Sequence, residues 1–319
     1  MGTNHCAKAE RSASKQTLML TGGSGMVGQN LLEHGAASGW SIVAPNSREL
    51  DLRDAAATLA FVRRVKPDVI VHCAGRVGGI QANIAAPVDF LVTNLDLGRN
   101  IVMAARACGV PRLLNLGSSC IYPRNAANPL SEQSILQGEL EPTNEGYALA
   151  KIAVARLCQY ASREDPGLSY KTVIPCNLYG RHDKFSPGSS HLVPAIIHKV
   201  HLAKAHGLGE VEVWGDGTAR REFMYAGDLA NAIWRALDSF DSLPDLMNIG
   251  VGVDHSVNDY YHIAAKVVGW QGRFVHDLSK PVGMKQKLVA IDQQTAWGWT
   301  APTSLEDGLQ SAYAYYLTL

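Results

Sequence analysis

Short apolar runs that alternate with longer helical patterns, and a glycine-rich turn after the first run, predict an α/β fold for this chain. Such runs are typical of buried parallel strands, and helices between them cover both faces of the sheet. After Tyr179-Gly180 the elements become shorter and more mixed, which indicates a second unit. We therefore expect a Rossmann-like, doubly wound parallel sheet followed by a smaller C-terminal α/β lobe.

The elements of the first half are assigned from apolar spacing. Thr17–Leu20 is a short apolar run that predicts a buried strand. A helix is predicted after Gly25, because in an alternating pattern of strands and helices a glycine-rich turn joins a strand to the helix that follows it. The other runs predict strands at Ser41–Ala44, Val69–Cys73, Leu113–Leu116 and Lys171–Ile174, and helical spacing predicts helices near Ala55–Val65, Val88–Ala107 and Tyr147–Ala161.

The second half opens with Asp183–Ser190, a stretch rich in Pro, Gly and Ser that we expect to form a loop able to close over a ligand. Beyond it we predict helices at Leu192–Ala205, Asp228–Leu237 and Val257–Val268 and from Leu305 onward, with strands at Val211–Trp214 and Met247–Ile249. The expected organisation is a flexible tail at 1–16, a nucleotide-binding domain at 17–180 and a mainly substrate-binding lobe at 181–319. Some segments of that lobe should return to the first domain.

Composition limits the partners. Lys plus Arg and Asp plus Glu both number 29, without a charge block, so nucleic acid and anionic membranes are not expected. There is no apolar run long enough to span a bilayer and no signal-peptide pattern in 1–16. The six cysteines form no CxxC pair, which favours a reducing cytoplasm, and no spacing of ligands indicates a metal.

The turn Thr21–Gly28 is the first candidate site, because it follows the first strand and opens a helix. In that context glycines permit a tight turn, let backbone N–H groups approach a pyrophosphate, and allow the helix to pack close to the sheet. We therefore expect a dinucleotide to bind at Gly22, Gly23, Ser24, Gly25, Met26, Val27 and Gly28.

The end of the second strand indicates which dinucleotide binds. An acidic residue there would hold the ribose hydroxyls of NAD, but the segment 44–48 offers Ser47 and Arg48 instead. We therefore expect NADPH/NADP+, with Ser47 and Arg48 near the 2′-phosphate. Asp51 and Leu52 are expected to flank the adenine, and Ala74-Gly75 should lie where the cofactor passes.

Ser118, Tyr147 and Lys151 form a candidate acid–base set. Four residues make about one helical turn, so Tyr147 and Lys151 share a helix face. We expect the Lys151 ammonium, together with the positive nicotinamide ring, to lower the pKa of the Tyr147 phenol by favouring phenolate. The neutral phenol would donate a proton as a carbonyl is reduced, while Ser118 stabilises the developing alkoxide.

These motifs resemble the extended short-chain dehydrogenase/reductase family, and finer stretches resemble its GDP-4-keto-6-deoxy-sugar epimerase/reductases. The likeness runs from about Thr17 to the C-terminus and is densest from Gly117 to Phe223. The stretches that carry it are Val77–Asn83, Gly117–Pro123, Leu140–Glu145, Asn177–Gly180, Ser190-His191, Trp214-Gly215 and Arg221–Phe223.

The resemblance implies roles for particular residues. Ser118, Tyr147 and Lys151 match the reductase triad, and Cys120 with His191 matches the acid–base pair that epimerises the carbons beside the ketone. Asn177, Lys199, Trp214, Arg221 and Lys287 match positions that hold the GDP-sugar. Leu116, Gly117, Ser118, Ser119, Pro175, Cys176, Asn177, Leu178 and His191 match positions around the nicotinamide.

The expected activity is conversion of GDP-4-keto-6-deoxy-D-mannose to GDP-L-fucose by epimerisation at C3 and C5 and reduction at C4. A homodimer is expected through the helices Val88–Ala107 and Tyr147–Ala161. Related GDP-sugar enzymes of the colitose or heptose type carry nearly the same motifs and stay open as alternatives. A UDP-sugar 4-epimerase that retains NAD, and a non-catalytic NADP sensor, are further alternatives.

Overall fold

The computed structural model describes residues 15–186, 190–280 and 284–319, so most of the predicted tail and residues 187–189 of the predicted loop lie outside the described residues. The strands are β1 (Thr17–Thr21), β2 (Ser41–Val43), β3 (Val69–His72), β4 (Arg112–Leu116), β5 (Ser169–Pro175), β6 (Asn177–Tyr179), β7 (Glu210–Trp214), β8 (Arg220–Arg221), β9 (Phe223–Tyr225), β10 (Leu246–Ile249), β11 (His255–Ser256), β12 (Arg273–Asp277) and β13 (Gln286–Lys287). The helices are α1 (Met26–Glu33), α2 (Ala55–Val65), α3 (Ile80–Ala85), α4 (Pro87–Ala107), α5 (Glu145–Glu164), α6 (Leu192–Ala205), α7 (Ala226–Asp238), α8 (Val257–Val268), α9 (Asp292–Ala296) and α10 (Leu305–Tyr316).

The main sheet has the order β10-β5-β4-β3-β1-β2, and all of its neighbouring strands are parallel. Because these strands all run in the same direction, the carboxyl ends of β1, β3, β4 and β5 lie at one edge of the sheet. β10 comes from the second half of the chain and pairs with β5, from Leu246↔Thr172 to Ile249↔Pro175. The predicted doubly wound parallel sheet is confirmed.

Both faces of this sheet are covered, as the continuous apolar strands predicted. In β1, Leu18 and Leu20 pack with α7 on one side, whereas Met19 packs with α2 and α4 on the other. α4 and α5 approach closely at Gly98, where a Cβ atom would lie 2.3 Å from Val154 Cγ2. This alternation of side chains is what lets one strand contribute to two cores.

The second lobe has its own apolar core, built from α6, α8 and α10 against β7. β7 and β12 pair in parallel, and β8 lies between β11 and β13 in a small sheet. α8 begins with a capping box, because Ser256 and Asp259 each bond the other's backbone N–H. These contacts lie within the second lobe and hold its elements together.

Glu222 joins the two parts of the molecule. Its side chain is 1% exposed and accepts hydrogen bonds from the backbone N–H groups of Val251 (2.6 Å), Gly252 (2.8 Å) and Val289 (2.9 Å). Burial raises the pKa of this carboxyl, and the three donors oppose that effect. The loop after β10 and the segment after β13 are therefore both bonded to the Glu222 carboxylate.

The helices and strands assigned from apolar spacing are present, with ends that differ by a few residues. The elements without such a pattern are β6, β8, β9, β11 to β13, α3 and α9, most of them two to six residues long. In the described ranges no helix is both long and apolar enough to cross a membrane.

Candidate active site

A cavity of about 790 Å³ lies where β1, β3, β4 and β5 end. In open parallel sheets this edge is the usual place for a ligand. The predicted site residues that line it are Gly22, Ser24, Gly25, Met26, Val27, Gly28, Ser47, Asp51, Leu52, Ala74, Gly75, Leu116, Gly117, Ser118, Ser119, Cys120, Tyr147, Lys151, Pro175, Cys176, Asn177, Leu178 and His191. The structure thus brings the proton-handling residues to the glycine turn.

The glycine turn has no room for side chains at two positions. Gly22 has φ +76°, and a Cβ there would lie 2.6 Å from the backbone nitrogen of Ala74. At Gly28 a Cβ would lie 2.3 Å from the carbonyl oxygen of Gly22. α1 can therefore start directly against the turn, with its positive N-terminal end facing the cavity, and this suits a pyrophosphate. Gly23, whose carbonyl accepts a bond from Gln29, is not among the lining residues described.

At the other end of the dinucleotide groove, the basic residue that lines the cavity is Arg53. Its guanidinium pairs with Asp51, with Nη2 and Oδ2 2.6 Å apart, and this pairing lowers the pKa of Asp51 to about 2. Arg48, the predicted partner of a 2′-phosphate, is exposed and is not among the described lining residues. Ser47 does line the cavity, as predicted.

Tyr147 lies on the first turn of α5, where its phenol meets the Ser118 hydroxyl at the end of β4. Burial raises the pKa of this phenol, and the nearby Cys120 raises it further, whereas the bond to Ser118 lowers it. Burial outweighs the Lys151 charge, so the expectation that this ammonium lowers the pKa of Tyr147 is wrong. Lys151 Nζ lies 5.9 Å from the centre of the Tyr147 ring, and desolvation dominates at that distance. A neutral phenol is the form that can donate a proton.

Lys151 is 8% exposed, and its ammonium donates to the carbonyl oxygen of Leu116 at 2.8 Å. Burial lowers its pKa to about 8, an effect opposed by Cys73. Burial of His72 lowers the pKa of its imidazole to about 3, and the nearby Lys151 charge adds to this effect. His72 is thus neutral, and its Nδ1 bonds the Thr21 hydroxyl at 2.7 Å.

Cys120 and His191 line the cavity from different parts of the chain. Cys120 follows Ser118 in the turn after β4, and His191 immediately precedes α6. Burial and the neighbouring Lys184 charge lower the pKa of His191, which favours the neutral imidazole. A thiol and a neutral imidazole in one cavity can remove and return protons near neutral pH.

The residues expected to hold GDP lie beside the described cavity lining rather than in it. Trp214 is 53% exposed, with Lys199 Nζ 5.4 Å and Lys280 Nζ 5.7 Å from its ring centre. Arg221 is half-buried, and this desolvation lowers the pKa of its guanidinium, while Tyr260 donates to its carbonyl oxygen at 2.9 Å. Lys287 Nζ lies 3.5 Å from Cys120 Sγ, so its side chain reaches a residue that lines the cavity.

Sequence reasoning missed several lining residues, above all Asn144, Asn83 and Arg53. Asn144 Nδ2 lies 3.4 Å from Cys120 Sγ. The signal for Asn144 and Asn83 was available, since both occur in stretches that carry the family resemblance. Arg53 follows Asp51-Leu52, the pair expected at the adenine, but its alignment with Asp51 depends on the fold of that loop.

Comparisons with known proteins agree with this geometry. The family model "NAD dependent epimerase/dehydratase family" matches residues 18–250. A GDP-L-fucose synthase from Azorhizobium caulinodans is 52% identical over 301 residues, covering 94% of this chain and 96% of the relative. A GDP-L-colitose synthase from Yersinia pseudotuberculosis is 48% identical over 300 residues, covering 94% and 97%.

The solved structure of a GDP-mannoheptose C4 reductase from Campylobacter jejuni with NADP bound is similar to this fold, with a TM-score of 0.87 and 29% identity. The similarity covers 96% of this chain and 99% of that one.

Gly28→Ala tests the glycine turn as the pyrophosphate site. Because the added methyl group would collide with the backbone of Gly22 and Gly23, we expect NADPH affinity to fall at least about tenfold, measured by fluorescence titration. The control is Gly39→Ala, where a Cβ meets nothing within 4 Å, and its affinity should match the parent protein. Equal affinities in both variants would place the pyrophosphate elsewhere.

Proposed function

Because the chain belongs to the NAD dependent epimerase/dehydratase family, we propose that it converts GDP-4-keto-6-deoxy-D-mannose into GDP-L-fucose. The reaction inverts C3 and C5 and then reduces the ketone at C4. The observation that carries the proposal is that Cys120 and His191 line the same cavity as Ser118, Tyr147 and Lys151. One cavity thus holds groups for carbon-acid chemistry and for carbonyl reduction.

NADPH is the cofactor, and bound NADPH supplies the hydride for C4. The turn at Gly22 and Gly28 fits its pyrophosphate, since any side chain there would fill the cradle. At the adenosine end, Ser47 and the guanidinium of Arg53 lie where a 2′-phosphate can be bound. Asp51 holds Arg53 in place, and no carboxylate occurs in the segment 44–48 to repel the phosphate.

The epimerisation needs a base on one face of the sugar and an acid on the other, and we assign these roles to Cys120 and His191. Hydrogens on the carbons beside a C4 ketone are acidic because the carbanion is an enolate. The neutral phenol of Tyr147 and the hydroxyl of Ser118 are placed to stabilise the enolate oxygen. The same two groups then stabilise the alkoxide and supply its proton, which lets one donor pair serve both steps.

The nucleotide end of the substrate is assigned to the second lobe. The exposed face of Trp214 suits stacking against a base, and Lys199 and Lys280 lie beside it. Arg221 presents a guanidinium that can pair with a diphosphate. Asn177 lines the cavity and donates to the carbonyl oxygen of Glu222 at 3.0 Å, so it lies between the sugar end and this lobe.

GDP-L-colitose synthesis is the second candidate, favoured by the relative of that name at 48% identity. Such an enzyme inverts C5 on a sugar that lacks the C3 hydroxyl. The alternatives of an NAD-retaining UDP-sugar epimerase and of a sensor have less support. The segment 44–48 carries no acidic residue to bind the ribose of NAD, which argues against the epimerase. Ser118, Tyr147 and Lys151 all line the cavity, and a sensor would not need these proton donors.

We place the reaction in a reducing cytoplasm. Among the described residues, the cysteines Cys73, Cys108, Cys120, Cys158 and Cys176 form no disulfide, which suits that compartment.

Incubation with GDP-4-keto-6-deoxy-D-mannose and NADPH in deuterated water, read by NMR, tests the reaction. We expect deuterium at both C3 and C5, because each carbon passes through an enolate, and one hydride from NADPH at C4. Label at C5 alone would assign the chain to the colitose type. Absence of net NADPH consumption would contradict both readings and favour a 4-epimerase.

The same reaction tests the assigned residues. In Cys120→Ser and His191→Asn we expect deuterium incorporation to fall about a hundredfold, the usual size of a lost acid or base, with little change in NADPH affinity. Full epimerisation in both variants would remove these two residues from the proton transfers.

The pH dependence of reduction tests Lys151. Burial lowers the pKa of Lys151 to about 8. Most Lys151 side chains are therefore protonated at pH 7, and the protonated fraction falls as the pH rises through about 8. The Tyr147 phenol stays neutral over this range because its own pKa is raised. We expect kcat/KM for NADPH oxidation to fall above pH 8, and this fall should be absent from the residual activity of Lys151→Met. A fall that persists in the variant would belong to another group.

A homodimer through α4 and α5 is also proposed. Val88 and Val92 on α4 are 69% and 48% exposed, and Met103, Leu149 and Tyr160 extend the apolar surface along the two packed helices. A contiguous exposed apolar surface is typical of an interface. Light scattering should show a dimer that Val92→Glu converts to a monomer. Leu208→Glu, at an exposed leucine of the second lobe, should remain dimeric, and a dimer in both variants would exclude this face.

A further inference from the structure

The sulfur of Cys120 accepts hydrogen bonds from two long-range partners. Asn144 Nδ2 lies 3.4 Å from Sγ, and Lys287 Nζ lies 3.5 Å from it. We propose that Lys287, together with Asn144, is a positioning residue that holds Cys120 as a thiolate directed at the substrate carbon. The catalytic importance of this arrangement rests on the proposed function, but the state of the sulfur can be measured without any substrate.

Both partners are donors toward the sulfur. An ammonium has three N–H donors and no acceptor, and the amide nitrogen of Asn144 likewise only donates. The sulfur is the acceptor in both contacts, and a thiolate fills that role better than the weakly accepting sulfur of an S–H group. A cationic neighbour also favours the anionic form of a thiol. The geometry therefore fits a base ready to remove a proton from carbon.

The backbone holds Lys287 in place from both sides. Glu222 N–H donates to the carbonyl oxygen of Lys287 at 3.1 Å, which binds β13 to the strand that carries Arg221. The next two residues are fixed as well, since Leu288 N–H donates to Asn128 at 2.8 Å and Val289 N–H donates to Glu222 at 2.9 Å. A long side chain on so constrained a strand can deliver its ammonium to a defined point.

Asn144 is fixed from the other direction. Its backbone N–H donates to the Glu141 carbonyl oxygen at 3.1 Å, and the residue directly precedes α5, which carries Tyr147 and Lys151. The amide and the phenol thus move with one helix. The sulfur lies between that helix and β13, so its direction depends on both parts of the molecule.

Other ionisable groups around the pair leave the Lys287 charge available to Cys120. The pKa of Tyr147 is raised, so its phenol is neutral, and the pKa of His191 is lowered, so its imidazole is neutral near pH 7. Cys176 also lies near Lys287, but burial and Glu222 raise its pKa and keep it protonated. Arg221 neighbours Lys287 across the β8–β13 pair, Lys151 approaches from α5, and Glu222 bonds the backbone N–H groups described above.

This placement adds to the role that the family resemblance implied for Lys287. An ammonium 3.5 Å from the Cys120 sulfur acts on the group to which we assign proton transfer, in addition to any contact with the GDP-sugar. Loss of Lys287 should impair C3 and C5 exchange through Cys120, with little effect on the cofactor.

Alkylation of Cys120 by iodoacetamide, followed by mass spectrometry of its peptide in the full-length protein, tests the proposal. The rate at pH 7 divided by the rate at pH 10 reports the thiolate fraction and cancels differences in access to the sulfur. We expect Lys287→Met to lower this ratio about tenfold or more, as removal of an adjacent cation predicts. Lys287→Arg should keep the ratio within about threefold of the parent protein.

Lys280→Met is the matched control, because it removes the same charge beside Trp214 instead of beside Cys120. Its ratio should equal that of the parent protein. NADPH affinity, measured for each variant, reports whether the fold is intact. An unchanged ratio in Lys287→Met, or an equal drop in Lys280→Met, would overturn the proposal.

Deuterium exchange separates this inference from the proposed function. If the alkylation ratio falls in Lys287→Met and exchange at C3 and C5 falls with it about tenfold, Lys287 positions the catalytic thiolate. If the ratio falls but the parent protein exchanges no deuterium, the thiolate stands and the proposed epimerisation fails.

Discussion

The buried carboxylate of Glu222 is the interaction on which the arrangement of the two lobes depends. Burying a carboxylate is costly unless donors surround it, and here Val251, Gly252 and Val289 supply backbone N–H groups. Gly250 leaves room for it, because a Cβ there would lie 2.5 Å from Glu222 Oε1. The carbonyl oxygen of Glu222 also accepts the Asn177 amide. One residue thus fixes the loop after β10, the segment that follows Lys287 and the start of β6.

Burial is the common cause of the unusual electrostatics in the cavity. It raises the pKa of Tyr147, lowers the pKa of Lys151 to about 8, and lowers the pKa of His191. Each shift favours the neutral form of its group. The Tyr147 phenol and the His191 imidazole are therefore neutral near pH 7, so the phenol can donate a proton and the imidazole can accept one. The parallel sheet creates these conditions because its strands end together beneath the second lobe.

Whether a part of the fold or of the site could be predicted depended on how far apart its residues lie in the sequence. The strands of the main sheet and its helices follow from apolar spacing, and the glycine turn, Ser118, Tyr147 and Lys151 belong to local motifs whose geometry the helix and strand impose. The two-residue strands β8, β11 and β13 form through pairing with distant segments, and so short a segment has no period to detect. For the same reason the contact between Lys287 and Cys120, 167 residues apart, could not be predicted. The pKa of Tyr147 was misjudged because spacing along a helix reveals a neighbouring charge but not the depth of burial.

The residues that we propose for reduction are easier to identify from the sequence than those that we propose for epimerisation, because the first group belongs to one domain and the second to both lobes. Ser118 follows β4, and Tyr147 and Lys151 lie on α5, so all three come from the first domain. Cys120 belongs to that domain as well, but His191 begins α6 and Lys287 lies on β13. The proposed epimerisation groups therefore come from both lobes, whereas the proposed reductase groups come from one, although both steps use the nucleotide site that we assign to the second lobe. We expect a change that loosens the Glu222 contacts to displace Lys287 from Cys120 and to leave the Tyr147–Ser118 pair in place, so the Lys287–Cys120 contact is the part of the site that depends most directly on how the lobes are joined.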